Sequence, residues 1–402
     1  MRTIIVGAGI AGLWIADKLV HETDDEVIVL EKGAYVGGRV ITSKKYGYEI
    51  GAGRIDLDQH HHILALIKRF GLKTYEHGSG SLWKSLKDST TSVNHFDSAW
   101  QPLLALFATL DPAILGTHTL RELSVKAIGA KQTSLLLRHF PYRAETETMR
   151  ADLGLRSFRD EMSEKQRFGA VVGGLSKIVQ GLATSVQSGG GQIHLNTTVT
   201  DVKHSEGVYT VLVGSTLMKA DRVILAMPVG ALRSLPFLKH LSLLDRLKMK
   251  PLTRIYSKMV GPWPFPKRII TDSPLRYIIP IRPDEGVVMI SYTESQDTHF
   301  WKGMKGEPLK RVLTKELTRL FPDMTFPKIE SANAYEWDQG CSYWLPGSYN
   351  VILASKNALQ PFSDLQHFHL VGESFSLRQA WMEGALDHAD ALWDVIQGKT
   401  TF

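Results

Sequence analysis

Residues 1–54 read MRTIIVGAGIAGLWIADKLVHETDDEVIVLEKGAYVGGRVITSKKYGYEIGAGR. A short apolar strand, Thr3 to Val6, runs into Gly7-Ala8-Gly9-Ile10-Ala11-Gly12 and then into helix-prone sequence. A second apolar strand, Val27 to Leu30, ends on Glu31, 19 residues beyond Gly12. A βαβ unit built to hold a dinucleotide needs this arrangement. Gly7 permits the tight turn, and Gly9 lets the backbone approach a pyrophosphate. Gly12 allows close helix–strand packing, and Glu31 reaches the adenosine ribose hydroxyls. The helix N-terminus offers N–H groups and a partial positive charge to the phosphates. A lone G-x-G-x-x-G is a weak signal, but here strand, spacing and terminal acid agree.

The residues beyond Glu31 decide which dinucleotide. Gly37-Gly38-Arg39 is a second glycine turn, with a cation expected at the same pyrophosphate, and Gly51-Ala52-Gly53-Arg54 comes after it. Nicotinamide enzymes do not need this second element, whereas flavoproteins that carry an extended FAD through their interior do. The run from Glu31 through Gly37-Gly38-Arg39-Val40-Ile41-Thr42, followed by Gly51-Ala52-Gly53-Arg54, resembles the flavin-dependent amine oxidases. That family includes monoamine, polyamine and L-amino-acid oxidases. Near the C-terminus, Gly372-Glu373 and Trp381-Met382-Glu383-Gly384 resemble the family's segments flanking the flavin ribityl chain and ring. A helix starting at Met382 would aim its N–H groups at the flavin and stabilise the anionic reduced form. The resemblance covers the whole chain, strongest at both ends and weakest between about residues 76 and 165. Within the family, the motifs come nearest to the bacterial tryptophan oxidases of violacein biosynthesis. The implied cofactor is FAD, held noncovalently. Its expected contacts are Gly7, Gly9, Gly12, Glu31, Gly38, Arg39, Gly51, Ala52, Gly53, Arg54, Val199, Trp337, Gly372, Glu373, Trp381 and Met382.

Composition agrees with a soluble enzyme. The chain has 402 residues, enough for two domains, with 43% apolar and 22% charged side chains. A formal charge of +6 without a Lys/Arg run of five reads as a mild surface bias and not as a nucleic-acid footprint. The single cysteine, Cys341, excludes an intramolecular disulfide framework and a cysteine-based zinc site. With a strand beginning at residue 3 and no long apolar run, the expectation is an intracellular, cytoplasmic protein without signal peptide or membrane span. A homodimer stays open.

The pattern predicts an α/β (α+β) two-domain fold, in which a Rossmann-like FAD-binding domain (1–75, 166–248 and 337–402) is interleaved with a sheet-plus-helices substrate domain (76–165 and 249–336). Asp56-Leu57-Asp58 is expected to start a helix carrying Ile63, Leu66, Ile67 and Phe70. Residues 103–163 read as helical, anchored by Leu120, Leu123, Leu135 to Leu137 and Leu153 to Leu155. Strands are expected at Gln192 to Thr200, Val208 to Val213 and Arg222 to Pro228, where the proline ends a buried strand. Val199 falls where the family's backbone meets the adenine. Further strands are expected at Leu252 to Val260, Leu275 to Ile281 and Val287 to Tyr292, with the return to the cofactor domain near Trp337.

The resemblance also speaks of substrate. L-amino-acid oxidases place an arginine at a point equivalent to Arg54 to pair with the substrate carboxylate, and a planar guanidinium binds it through two parallel hydrogen bonds. The alternative is that Arg54 pairs with Asp56, Asp58 or the cofactor phosphates. Tyr292 resembles a tyrosine that assists the carboxylate; as a strand tyrosine it is also an ordinary core residue. Trp381 occupies one wall of the family's aromatic cage, with Tyr343 or Trp344 for the other, and Trp337 sits where a tryptophan packs on the flavin. Arg254 departs from the family by replacing a lysine that holds a water near flavin N5, which puts oxygen reactivity in question. Cys341 lies near the cysteine that monoamine oxidases link to flavin, but its surroundings are closer to the noncovalent enzymes.

His60-His61-His62 cannot converge on one ion from consecutive helical positions, so no metal is expected; the three read as an exposed first helical turn, with a histidine facing the active-site funnel left open. The implied reaction is oxidative deamination of an L-amino acid to an imino and then a keto acid, with ammonia and hydrogen peroxide released and molecular oxygen as acceptor. A polyamine or monoamine oxidase of the same fold, and a non-oxidase or noncatalytic FAD-binding protein, remain open.

Overall fold

The computed structural model describes residues 1–77, 80–86, 95–138, 140, 142–160 and 166–399, with backbone alone at 95–97. The chain divides into two compact units: residues 1–77, 166–249 and 349–402, and residues 78–165 and 250–348. It is an α/β two-unit fold.

The first unit is organised by a five-stranded parallel sheet. Its strands lie in the order Phe368–Leu370, Arg222–Leu225, Arg2–Val6, Glu26–Leu30, Gln192–His194. Ile4 pairs with both Val223 and Ile28, so the opening strand is central. A central parallel strand is buried on both faces, which is why it reads TIIV without alternation. Helices Ile10–Glu22, Ser176–Ser188 and Met382–Ile396 share one core with this sheet, built around Ile5, Leu13, Val29, Leu182, Ile224 and Leu386. A meander of Val199–Ser205, Val208–Val213 and Thr216–Ala220 and a small sheet of Ile55–Asp56, Phe168–Val171 and Thr74–Glu76 complete the unit.

Three expectations change here. Asp56 does not open a helix: Ile55 and Asp56 pair with Gly169 and Phe168, and the helix runs from His61 to Arg69. The Asp56 carboxylate instead accepts the Asp58 and Gln59 amides, folding the intervening turn. His60 is fully buried, so the three histidines are not a uniformly exposed turn. The strand expected over 192–200 is broken at Asn196, whose positive φ of 53° turns the chain. The amides of Asn196 and Thr197 then donate to the carbonyls of Gly33 and Glu31.

The second unit carries a six-stranded sheet in the order Ile329–Trp344, Leu247–Met259, Val287–Glu294, Tyr277–Arg282, Arg268–Thr271, Ser81–Lys84. Helix Gly306–Leu320 covers Ile255, Ile278, Val288 and Ile290. Tyr277 and Tyr292 pack with a different cluster, built on Trp100, Phe107, Leu120, Phe140 and Phe158 of the helical stretch. A β-bulge achieves this split. Ile255 faces Ser291 and Tyr256 faces Met289, which leaves Ile290 as the extra residue and re-phases the strand ahead of Tyr292.

The helical stretch comprises His95–Phe107, Pro112–Thr117, Leu120–Leu137, Arg143–Glu147 and Ala151–Asp160; the expected extension to Ser163 lies outside the described residues. Thr119 and Glu122 form a capping box at the head of the third helix. Leu120, Leu123 and Leu137 are buried as anchors, whereas Leu135 is 48% exposed because it falls on the outer face. The strand Ile329–Trp344 runs unbroken past Trp337, so that residue belongs to the second unit, and the third piece of the first unit begins at Tyr349 and not at 337.

Candidate active site

The nucleotide motif can be read atom by atom. A Cβ on Gly12 would sit 2.1 Å from the Gly7 carbonyl oxygen, and one on Gly7 would sit 2.5 Å from the Ala226 oxygen. Both glycines are therefore set by close backbone packing. Gly9 differs, because a Cβ there would meet nothing within 4 Å. It is also the N-cap of helix Ile10–Glu22, with no side chain capping that helix and no acid in its first turn. An open concavity at an uncapped helix N-terminus suits a pyrophosphate. Glu31 accepts the Ala8 amide at 2.9 Å and the Gly33 amide at 2.7 Å, which holds its carboxylate beside the glycine turn. Gly38 approaches from the other side, its Cβ position 3.4 Å from the Gly9 Cα. Val199 begins its strand two residues beyond the Thr197 amide that is bonded to Glu31. These residues fit a dinucleotide.

The C-terminal motif is folded onto the same place. Gly372, with φ at 121°, has Ala11 as its near neighbour at 3.7 Å from a Cβ position. Arg39 lies with one guanidinium nitrogen 2.9 Å from Glu373, and the other Glu373 oxygen accepts the Ala380 amide at 2.9 Å. The expectation for Arg39 named a pyrophosphate; its charge is engaged by Glu373. Gly384 is dictated by contact, since a Cβ would fall 1.8 Å from the Arg378 carbonyl oxygen. Helix Met382–Ile396 has no side-chain cap at Trp381.

Glu383, the acid of Trp381-Met382-Glu383-Gly384, is almost wholly buried and accepts the His62 and Ile63 amides at 2.7 and 3.0 Å. The first amides of a helix have no partner within it, and Glu383 supplies one to helix His61–Arg69 from the side. No local sequence signal announces that role. His62 also brings a ring nitrogen near Glu383 and Asp387, the donor atoms lying within 4.8 Å of one another. Glu383 is committed to the two amides and Asp387 faces Arg378 at 3.4 Å, so the group is accounted for by helix capping and charge pairing.

Arg54 sits on an aromatic stack. Its guanidinium lies 4.2 Å from the ring centre of Phe168 and 5.3 Å from that of Trp381. The two rings are parallel within 6° at 5.9 Å, and the His60 ring meets Trp381 edge-on at 5.1 Å. Asp58, one alternative partner, pairs with Arg167 at 3.1 Å. A guanidinium stacked on rings has the plane of its N–H groups set by the rings. Gly51, Ala52 and Gly53 carry the chain into this position, Gly51 being buried and the next two half-buried. Phe168 and His60 were not among the expected site residues. The first is joined to Asp56 only by strand pairing across more than a hundred residues, which local spacing does not encode.

The second unit collects the other expected residues. Arg254 and Tyr292 face each other across paired strands, the guanidinium 5.5 Å from the phenol ring centre. Tyr142 and Tyr277 pack against Tyr292 at 5.7 and 6.3 Å. Burial, then Glu294, pushes the Tyr292 hydroxyl well above its usual range, so it acts as a neutral hydrogen-bonding group. Tyr343 is buried with its hydroxyl donating to Glu145 at 3.2 Å, and burial followed by Glu145 raises it likewise. Cys341 adds to the upward shift of both Tyr292 and Tyr343. Trp344 follows it on the opposite face, fully buried, its carbonyl accepting the Arg150 amide at 3.0 Å. The two candidates for a cage wall differ in their surroundings, Tyr343 meeting Glu145 and Trp344 meeting Arg150. Trp337 is half-buried on the same strand.

A parallel sheet with a dinucleotide turn at its centre and a C-terminal strand–turn–helix folded onto that turn defines a flavoprotein of the amine oxidoreductase class. Residues 10–141 and 129–391 match the family model described as flavin containing amine oxidoreductase. The chain belongs to that family, and its cofactor is a flavin. It is 22% identical over 459 residues to the putative L-amino-acid oxidase YobN of Bacillus subtilis, spanning 96% of this chain and 92% of that protein. It is 35% identical over 108 residues to bovine flavin-containing amine oxidase B, a match spanning 26% of this chain and 20% of the bovine protein. Among solved structures, putrescine oxidase bound to putrescine is similar in fold, with a TM-score of 0.76 at 18% identity and 99% of both chains covered. A putative protoporphyrinogen oxidase from Exiguobacterium sp. 255-15 is similar in fold as well, with a TM-score of 0.75 at 15% identity and 99% of both chains covered. Among the described residues, no helix is long and apolar enough to cross a membrane.

Proposed function

We propose that this protein is an FAD-dependent oxidase that deaminates an L-amino acid, and that Arg54 anchors the substrate carboxylate. The observation that carries the reading is the Arg54–Phe168–Trp381 stack, which lies in the unit that also carries the nucleotide turn. Stacking fixes the plane of the guanidinium, and a fixed plane orients a carboxylate and with it the α-carbon. The similarity to a putative L-amino-acid oxidase over nearly the whole chain supports the same substrate class. FAD, when bound, would supply the two-electron oxidation of the Cα–N bond of the neutral amine, with oxygen as the final acceptor and hydrogen peroxide as the product.

The chain's own groups bind and orient. Glu31, Gly9 and Gly38 would hold the adenosine and pyrophosphate parts of FAD, and the Met382 helix start would face its ring. Tyr292, neutral at physiological pH, is a hydrogen-bond donor that a carboxylate can use. Arg254 replaces the family lysine; beside Tyr292 it adds permanent positive charge for an acidic substrate. Trp381 presents an aromatic face that would shield a reacting amine from water. The imine product hydrolyses to the keto acid and ammonia. Noncovalent FAD is part of this reading; Cys341 is a half-buried thiol.

Anaerobic bleaching of the flavin by a panel of amino acids and of mono-, di- and polyamines tests the reading. Bleaching by L-amino acids and not by the decarboxylated amines is the expected result. Preferential bleaching by putrescine or a monoamine, or by nothing in the panel, overturns it. A denatured-protein mass equal to the bare polypeptide is the expected sign of noncovalent FAD.

A further inference from the structure

His60 is fully buried, and strand pairing explains why its position calls for a histidine. Leu57 donates its amide to the Arg167 carbonyl, while Asp56 pairs with Phe168 and Ile55 with Gly169. Bonded and non-bonded pairs alternate along an antiparallel ladder. Asp56 and Phe168 are therefore a non-hydrogen-bonded pair, and the main-chain groups of Asp56 point away from its partner strand. Asp56 is buried, so its amide needs an acceptor from elsewhere in the protein. His60 supplies it. The Asp56 amide donates to His60 Nδ1 at 3.1 Å, and the His60 amide donates back to the Asp56 carbonyl at 3.3 Å. A ring nitrogen that accepts an amide carries no proton, so this imidazole is the neutral tautomer with its proton on Nε2.

We propose that His60 is the positioning residue of the carboxylate anchor: fixed by the Asp56 amide, its ring holds Trp381 where Arg54 stacks on it. The proposal rests on the reading of Arg54 as that anchor. All of its parts lie in the first unit. The His60 ring meets Trp381 at 5.1 Å with the two planes 73° apart, and Trp381 lies parallel to Phe168. Every member of the stack is thereby referred to one turn, residues 56–60. Phe168 is paired with Asp56, Arg54 precedes Asp56 by two residues, and Trp381 is met by His60. A second tie joins the same segments, because Glu383 accepts the His62 and Ile63 amides. The two ties act on different things. Glu383 fixes the backbone where the two helices start, whereas His60 touches the indole itself and so restrains its rotamer. The plane of a guanidinium stacked on two rings follows both rings, so the orientation of Arg54 depends on His60 through Trp381.

Two variants of the holoenzyme separate the acceptor from the ring. Asparagine puts Oδ1 where Nδ1 stands and so keeps an acceptor while removing the ring; phenylalanine keeps a ring and removes the acceptor. With the amino acid that bleaches the flavin best, His60→Asn is expected to lower kcat/KM about tenfold. His60→Phe is expected to lower the melting temperature and to lose less kcat/KM than His60→Asn. In an Arg54→Ala background His60→Asn should cost less than about twofold, because no guanidinium is left to orient. Equal losses in the two backgrounds, or a loss for a folded, flavin-loaded His60→Phe as large as for His60→Asn, overturn the positioning role. The tie to Asp56 is read without any substrate. Histidine-selective nitrogen NMR of the holoenzyme at neutral pH is expected to show a ring protonated at Nε2 alone, whose signals disappear in His60→Asn. A His60 ring protonated at Nδ1 overturns the tie. If amines bleach the flavin and amino acids do not, the anchor reading fails and the positioning role with it, and the ring signals still decide whether His60 holds the Asp56 turn.

Discussion

Arg39 and Glu373, 334 positions apart, form an ion pair at 2.9 Å that joins the glycine turn after the second strand to the turn after the last one. Each belongs to a motif expected to touch the same cofactor, and each motif is held in place by the other. Glu373 is nearly buried while Arg39 is about one-third exposed, so the pair lies between the exposed and buried limits. Arg39→Ala is expected to cost about 2 kcal/mol of stability and to release flavin more readily. Arg39→Lys should fall between the two because it keeps the charge and loses the fork. Thermal melts of apo and holo protein, with flavin fluorescence as the release signal, check both.

The glycines of the nucleotide turn separate folding from binding. Gly12→Ala drives a methyl group into the Gly7 carbonyl and is expected to destabilise the apoprotein by about 3 kcal/mol. Gly9→Ala has an ordinary φ of −74° and open space around the new carbon, so the apoprotein is expected to fold normally. The methyl would stand where a pyrophosphate approaches, and flavin retention should collapse. A Gly9→Ala protein that keeps its flavin would contradict the assignment of the turn.

Acid should destabilise the first unit through two histidines. His369 and His388 are buried and neutral, desolvation lowering both to about 4 from an unperturbed 6.5. Above pH 6.5 neither state takes up a proton and the two contribute no slope. As pH falls from 6.5 to 4 the unfolded chain binds two protons that the folded one refuses, so stability drops, by up to about 3 kcal/mol for each group. His388 also accepts the Gly372 amide at 3.4 Å and donates to the Ser355 carbonyl at 3.1 Å, so its protonation removes an acceptor from the Gly372–Glu373 turn. Denaturant titrations at pH 7 and pH 4.5 are expected to differ in midpoint, with flavin release accompanying the loss.

The Arg54 stack predicts a graded series. Arg54→Ala should lower kcat/KM for a carboxylate substrate by about a thousandfold, and Arg54→Lys by less. Phe168→Leu leaves the charge in place and removes the surface that orients it, at a cost of about 1 kcal/mol in transition-state binding. Only small changes in both kcat and KM for Arg54→Ala would sink the anchor.

Legibility follows chain distance. Gly7, Gly12 and Glu31 lie within one βαβ unit, and their geometry is local enough for spacing alone to place them. The same is true of the helix beginning at Met382. The burial of His60 is not legible locally, because its ring packs on Trp381, more than three hundred residues away. Leu135 is exposed where the pattern expects an anchor, because helical periodicity names a face without saying what covers it. The choice between Tyr343 and Trp344 turns on which neighbour of a long strand points toward Glu145, and a strand's sequence carries that alternation without its phase.

The sequence by itself determined the nucleotide turn, the flavin and the family, because those rest on glycines and acids at fixed local spacing, two of the glycines set by close backbone packing. Only the tertiary structure decided that Arg54 lies on Phe168 and Trp381, that Arg39 answers Glu373, and that the Tyr343 hydroxyl meets Glu145. Each of these contacts joins segments separated by a hundred residues or more, and such meetings are set by sheet pairing and core packing, in which no single segment holds the information.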